Sequence, residues 1–126
     1  MSVELRGSRI LVVDDDVEIA EVVAEALEFV GCKVSRVTNG LLALDLLSED
    51  PAFHVVLLDL MMPVMNGLEL LQRLRGDDRL RAIPVVVMSA NRGYEAADLG
   101  VKRILRKPFS LDHLCAAVAA ARPEPG

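Results

Sequence analysis

Aromatic residues are scarce in this sequence, which has no tryptophan, one tyrosine and three phenylalanines among 126 residues. Stacking on aromatic side chains provides much of the affinity for single-stranded nucleic acids, so the sequence disfavours that class of ligand. The core has to consist of aliphatic side chains instead. Hydrophobic residues make up 52% of the chain, which is enough for one sizeable core and excludes intrinsic disorder.

Positive charge and long apolar runs are scarce as well. The 14 Lys and Arg residues are outnumbered by 19 Asp and Glu residues, which gives a net charge of −5. Such a chain has no electrostatic attraction to DNA or to an anionic membrane, so we expect it to bind neither. Because it has no run long enough to cross a bilayer, and no signal-peptide core in MSVELRGSR, the sequence predicts a cytoplasmic protein.

The chain has only two cysteines, Cys32 and Cys115. They are far apart in sequence and lack the spacing of a zinc site or of a disulfide framework. We therefore expect two free thiols in a reducing compartment.

Three short apolar runs without polar alternation are typical of strands buried on both faces of a parallel sheet. They are ILVV at 10–13, VVLL at 55–58 and VVVM at 85–88. The runs VSRV at 34–37 and RIL at 103–105 are more polar and predict edge strands.

Helical patterns fill the gaps between these strands. We expect Asp16, Asn39, Asn66 and Ser110 to begin helices, and Gly31 and Gly76 to follow the ends of the first and third. Residues 92–99 leave room for only a short fourth helix. The apolar face of the first helix is predicted to comprise Ile19, Val22, Val23, Ala26, Leu27 and Val30. The inward residues of the last helix are predicted to be Leu111, Leu114, Cys115 and Val118.

Five alternations of strand and helix predict an α/β fold of the doubly wound, flavodoxin-like (βα)5 type. Its five-stranded parallel sheet would carry helices on both faces. We expect one domain over residues 9–121, a lead-in over 1–8, and a C-terminal tail or linker stub over 122–126.

Polar residues stand where the predicted strands end. In a parallel sheet these ends meet at one edge, which is where ligands bind. Two carboxylates about 4 Å apart repel each other by roughly 4 kcal/mol at an effective dielectric constant near 20. A shared proton or a bound cation is therefore needed, and all-oxygen ligands favour Mg²⁺. The residues concerned are Asp14, Asp15, Asp59, Ser89 and Lys107, whereas Asp16 is expected only to cap a helix.

A carboxylate that faces Mg²⁺ and a lysine can act as a nucleophile toward a phosphoryl group. The product would be an aspartyl phosphate. Catalysis would then consist mainly of positioning and of charge neutralisation.

Five motifs in this order resemble a response-regulator receiver domain of two-component signalling, from about Arg9 to Ala121. They are ILVVDDD, then Asn39-Gly40 with Ala43-Leu44, then VVLLDLMMPVMNG, VVVMSA and RKPF. The resemblance implies that Asp59 is the phosphoacceptor. It also implies that Asp14, Asp15, Asp59 and the backbone carbonyl of Met61 hold Mg²⁺.

The resemblance implies roles for the other strand ends too. The hydroxyl of Ser89 would turn toward the phosphoryl group, and Lys107 would pair with the phosphoryl oxygens. The peptide bond between Lys107 and Pro108 would be cis.

The implied function is that of a signalling switch, not of an enzyme with a separate substrate. The domain would catalyse its own phosphorylation and dephosphorylation at Asp59. Its donor would be a sensor histidine kinase or a phosphotransfer protein, and its downstream partner would be another, unidentified protein. A homodimer formed on phosphorylation is compatible with the resemblance.

The sequence departs from the family pattern in two places. Ile104 stands where many receivers carry an aromatic residue that moves during switching. The stretch from Ser89 to Gly100 is about one helical turn shorter than usual. Tyr94, within it, is a candidate substitute for the missing aromatic, while Met61 and Asn91 match positions that tune dephosphorylation.

Three alternative functions compete with this one. An aspartyl-phosphate phosphatase would carry a second acid two residues after its nucleophile, but Met61 stands there. A dinucleotide-binding domain would need a glycine-rich loop where this chain has Asp14, Asp15 and Asp16. The remaining alternative is a pseudo-receiver, a non-phosphorylated domain of the same fold that acts only as a protein-binding module.

Overall fold

The structure is a computed structural model that describes residues 5–62, 64–90, 93 and 95–122. Strands and helices alternate along this part of the chain, as the sequence pattern predicts. The strands are β1 Arg9–Val13, β2 Lys33–Val37, β3 Val55–Asp59, β4 Val85–Ser89 and β5 Arg103–Arg106. The helices are α1 Val17–Phe29, α2 Gly40–Glu49, α3 Gly67–Arg75, α4 Ala96–Leu99 and α5 Leu111–Ala121. The predictions made for Asn91 and Tyr94, and most of the predicted tail, lie outside the described residues.

All strand pairs are parallel, and the order across the sheet is β2-β1-β3-β4-β5. This is the flavodoxin-like order of a doubly wound sheet, so the predicted fold class is confirmed. Strands β2 and β5 are the edges, as their polar residues predict. Every residue of β3 and β4 is buried, as expected for continuous apolar runs.

Successive side chains of each strand supply two separate apolar layers. In β1, Ile10 and Val12 pack on the face covered by α1 and α5. Leu11 and Val13 pack on the opposite face, with residues of α2, α3 and α4. The helices therefore cover both faces of the sheet. None of the helices in the described residues is long and apolar enough to span a membrane.

The predicted helix boundaries are confirmed by local hydrogen bonds. The side chains of Asp16, Asn39, Asn66 and Ser110 each accept a bond from a backbone N–H in the first turn of the helix that follows. Helix α4 has only four residues, as the short stretch available to it predicts.

The apolar faces of α1 and α5 are predicted only in part. Val22 and Val30 are 59% and 38% exposed, and Leu111 is 57% exposed, so their predicted inward orientation is wrong. Helix α1 instead packs through Ala20, Val23, Ala24 and Leu27. The buried residues of α1 therefore differ in part from its large apolar ones, because two alanines occupy part of the buried arc.

Candidate functional site

The candidate site lies where the strand order reverses between β1 and β3. Ligands of open α/β sheets bind beyond the carboxyl ends of the strands at such a point. Asp14 follows the last residue of β1, and Asp59 is the last residue of β3. Their apolar strands are buried, so both carboxylates are held at the end of a rigid segment.

Three carboxylates converge there. One carboxylate oxygen from each of Asp14, Asp15 and Asp59 lies within 4.8 Å of the others. Asp14 is fully buried and Asp59 is 7% exposed, whereas Asp15 is exposed. Asp16 lies outside this group: it caps α1, and its N–H donates to Asp14 Oδ1 at 2.9 Å. Its expected role as a cap is confirmed.

Lys107 provides the positive charge of the site. Its Nζ lies 3.3 Å from Asp14 Oδ2 and 3.8 Å from Asp59 Oδ2. The residue follows β5, and its peptide bond to Pro108 is cis, as the resemblance implies. The N–H of Lys107 donates to the carbonyl oxygen of Ser89 at 3.0 Å, so the ends of β4 and β5 are joined beside the carboxylates.

Ser89 ends β4 and is 3% exposed. In the pairing of β3 with β4, Asp59 lies opposite Met88, so Ser89 stands one residue beyond it along the neighbouring strand. Ile104 on β5 is half-buried and packs against the apolar layer that includes Leu99 of α4.

The environment of Asp59 works against its ionisation. Burial, followed by the charge of Asp14, raises the pKa of Asp59 to about 6. The Met61 N–H, which donates to Asp59 Oδ1 at 3.2 Å, and the Lys107 ammonium oppose this rise. The carboxyl group is therefore mainly ionised at neutral pH and is poorly neutralised by its protein neighbours.

These residues fit a magnesium ion. The donor set consists of carboxylate oxygens, which hard divalent cations prefer, and it is compact enough for one ion. In the part of the chain that the structure describes, the ion pairs of Asp14 and Asp59 are both with Lys107, and its single charge cannot balance three carboxylates. A divalent cation would supply the missing positive charge.

Three features of the site were not predicted from the sequence. The Met61 N–H bond to Asp59 has no signal in the residue pattern. The second feature is the close packing of Gly40 against Met65 and of Gly67 against the end of β3. The sequence does carry a signal for it, because glycine is a poor helix former and an asparagine already caps each of these helices. The third feature is an apolar groove beside Lys107.

This groove has a volume of about 530 Å³ and runs between α1 and the loop before α5. Its walls include Ile19, Val22, Ala90 and Phe109. A second groove of about 570 Å³ shares Val22 and continues to Phe29, which is 91% exposed. An apolar surface therefore extends from the edge of the site along α1.

Comparison with known proteins agrees with this geometry. Residues 10–119 match the family model of the response regulator receiver domain. A transcriptional regulatory protein, the CpxR homolog of Haemophilus influenzae, is 38% identical over 118 residues, which are 90% of this chain and 49% of that protein. The chain thus spans about half the length of the curated relatives it matches.

Solved structures show the same fold. The receiver domain of the Francisella response regulator 1452 is 32% identical with a TM-score of 0.79, covering 89% of this chain and 93% of that one. The chemotaxis response regulator CheY4 of Vibrio cholerae is 26% identical with a TM-score of 0.80, covering 89% and 96%. This chain belongs to the response regulator receiver domain family.

Proposed function

We propose that this receiver domain is a phosphoacceptor switch in a two-component phosphorelay, with Asp59 as the residue that takes the phosphoryl group. The donor would be a phosphohistidine on a sensor histidine kinase or a phosphotransfer protein. One observation carries the proposal: Asp59, Asp14 and Asp15 place oxygens within 4.8 Å of one another, with the Lys107 ammonium 3.8 Å from Asp59.

Mg²⁺ would be held by Asp14, Asp15, Asp59 and the backbone carbonyl of Met61. When bound, the ion neutralises charge on the carboxylates and on the phosphoryl oxygens. Lys107 would pair with a phosphoryl oxygen, and its present contacts with both Asp14 and Asp59 support that role.

The transfer itself needs an ionised carboxylate. A carboxylate oxygen of Asp59 would form a bond to phosphorus while the bond from phosphorus to the donor imidazole nitrogen breaks. The leaving nitrogen takes up a proton from solvent. Hydrolysis of the resulting aspartyl phosphate by water would return the switch to its resting state.

The signal would pass from Asp59 to the ends of β4 and β5. The Ser89 hydroxyl would turn toward the phosphoryl group, and Ser89 is already joined to Lys107 through its carbonyl oxygen. Ile104 stands where an aromatic side chain would rotate in many receivers. We therefore expect the packing of Ile104 against α4 to respond instead of an aromatic rotamer.

The donor protein would dock on the apolar surface that borders Lys107. The groove beside Val22 borders Lys107, whose ammonium lies 3.8 Å from Asp59, and is lined mainly by apolar side chains. An amphipathic helix that carries the phosphohistidine would cover these side chains while presenting its imidazole to Asp59.

One observation favours the pseudo-receiver as a second candidate. Helix α4 has only four residues, so the surface it forms with β5 is reduced. A receiver that signals only by protein binding would not need that surface to change on phosphorylation.

Intact-mass spectrometry distinguishes the two candidates. We expect acetyl phosphate or a phosphoramidate, with Mg²⁺, to add one phosphoryl group to the wild type and none to Asp59→Asn. The addition is expected to stop in EDTA because the charges of the site are then left unbalanced.

Asp16→Asn is the matched control, since asparagine caps a helix as well as aspartate does and Asp16 lies outside the cluster. This variant should be phosphorylated like the wild type. A wild type that gains no phosphoryl group with Mg²⁺ present would favour the pseudo-receiver, and labelling in EDTA would contradict the role of the metal.

A further inference from the structure

We propose that Gly40 and Gly67 are positioning residues for the segment that joins β3 to α3, residues 60–66, and thereby for magnesium binding. This inference rests on the proposed function, because the segment contains Met61, whose carbonyl is the proposed backbone ligand. Both glycines are the first residues of their helices and both are buried.

Gly67 brings α3 into contact with the backbone at the end of β3. A methyl carbon at Gly67 would lie 2.7 Å from the carbonyl oxygen of Asp59 and 2.7 Å from Leu60 Cα. These are backbone atoms, so the clash could not be relieved by a side-chain rotation. The Gly67 N–H also donates to the Leu60 carbonyl oxygen at 3.1 Å, which closes the segment into a loop.

Gly40 holds the other end of the same segment. Its N–H donates to the carbonyl oxygen of Met65 at 2.9 Å. A methyl carbon at Gly40 would lie 2.6 Å from that oxygen and 2.9 Å from Met65 Cγ. Helix α2 therefore packs directly on the segment that precedes α3.

Between these two contacts, the backbone conformation of Val64 is imposed by its surroundings. Val64 has a φ of 69°, which a β-branched residue adopts only when neighbouring structure requires it. At the near end, the Met61 N–H donates to Asp59 Oδ1 at 3.2 Å. Leu60, Met61 and Met65 are thus held by these contacts before any ion binds, and a preorganised ligand loses less entropy on binding.

The asparagine caps do not explain why glycine stands at positions 40 and 67. Asn39 and Asn66 each cap their helix by accepting one backbone N–H bond in its first turn, and alanine is a better helix former than glycine. The close backbone contacts are the feature of these positions that excludes a larger residue.

The test measures magnesium affinity directly, by NMR titration of the backbone amides of folded protein with MgCl₂. We expect Gly67→Ala and Gly40→Ala to weaken Mg²⁺ binding by about tenfold or more, as is typical when groups that orient metal ligands are changed. Gly76→Ala is the matched control. Its new methyl group would meet only two carbonyl oxygens, at 3.5 and 3.8 Å, so its affinity should equal that of the wild type.

A second control separates positioning from loss of stability. Leu27→Ala removes a buried side chain from the opposite face of the sheet, where it destabilises the fold without touching the segment. It should bind Mg²⁺ like the wild type. Where Gly67→Ala does not fold, Gly40→Ala decides the test. Its three closest contacts are all with Met65, one with the carbonyl oxygen at 2.6 Å and two with the side chain, so the clash shifts Met65 and not the end of β3.

The outcomes distinguish this inference from the proposed function. A wild type that does not bind Mg²⁺ would refute the proposed function. A wild type that binds it, with both glycine variants unchanged or with Leu27→Ala equally weakened, would overturn the positioning role alone.

Discussion

At the scale of the residue, Asp59 lies between opposing influences. Burial and the Asp14 carboxylate disfavour its charge, while the Met61 N–H and the Lys107 ammonium favour it, and the balance raises its pKa to about 6. The carboxylate is consequently ionised at neutral pH but not fully compensated. We expect a divalent cation bound beside it to relieve that imbalance.

Val64 shows strain at the same scale. Its left-handed backbone, with a φ of 69°, costs a residue with a Cβ atom about 1–2 kcal/mol. Glycine avoids this cost but adds about 0.4–1 kcal/mol of entropy to the unfolded chain. Since the Val64 side chain is 73% exposed and loses little packing, we expect Val64→Gly to raise the free energy of unfolding by about 0.5–1 kcal/mol, measured by urea denaturation.

Val64→Ala is the control for this prediction because it removes the branch and keeps the Cβ atom. At positions with an ordinary backbone conformation, alanine gives a more stable protein than glycine does. A Val64→Ala protein at least as stable as Val64→Gly would contradict the assignment of strain.

At the scale of the element, α1 has two apolar surfaces with different roles. Its inner surface, through Ala20, Val23 and Leu27, packs on the sheet and stabilises the fold. Its outer surface, through Val22 and Phe29, lines the two grooves beside α5. Exposed apolar side chains that adjoin one another are typical of interaction sites.

A substitution on this outer surface should separate docking from chemistry. We expect Val22→Glu to lower kcat/KM for transfer from a histidine kinase that labels the wild type by about tenfold or more, as for loss of an interface contact. Labelling by acetyl phosphate should be unchanged. Both rates can be followed by intact-mass spectrometry over time.

The matched control is Leu42→Glu on α2. Leu42 is 47% exposed, comparable with Val22, but α2 lies on the opposite face of the sheet. Equal losses of transfer for the two variants would argue against docking on α1. Loss of labelling by acetyl phosphate in Val22→Glu would instead indicate damage to the site.

At the scale of the whole molecule, the raised pKa of Asp59 makes stability depend on pH. Its ordinary value is 3.8 and its value in the fold is about 6. Below pH 3.8 the carboxyl group is protonated in both the folded and the unfolded protein, and the stabilising effect of the neutral carboxyl is fully present. Between the two values the unfolded chain ionises first, so the free energy of unfolding falls as pH rises, and the loss is complete above the second.

We therefore expect Asp59→Asn, without divalent cations, to be more stable than the wild type at pH 7 by on the order of 1–3 kcal/mol. The difference should shrink toward zero as the pH falls to 4. Urea denaturation of both proteins across this range measures it, and Asp16→Asn should keep the pH dependence of the wild type. A stability difference between the two proteins that stays constant from pH 4 to 7 would refute the raised pKa of Asp59.

Much of this architecture could be predicted because its signals are local. The runs that become β3 and β4 are apolar throughout, and Asn66 caps the helix that begins at the next residue. The short α4 also followed from the few residues available to it. The buried arc of α1 was less predictable, since it depends on how the helix is turned on the sheet. Ala20 and Ala24 are buried, whereas Val22 lies outside.

The sequence by itself determined the alternation of strands and helices, and with it the edge of the sheet where the polar strand ends gather. Only the tertiary structure decided which of those polar groups touch. Lys107 contacts Asp14, which lies 93 residues away in sequence. Asp15 belongs to the carboxylate cluster, whereas Asp16 caps a helix. Gly67 packs against the backbone of Asp59. Periodicity and capping act within a few residues, whereas these contacts depend on strand order and on the packing of distant segments.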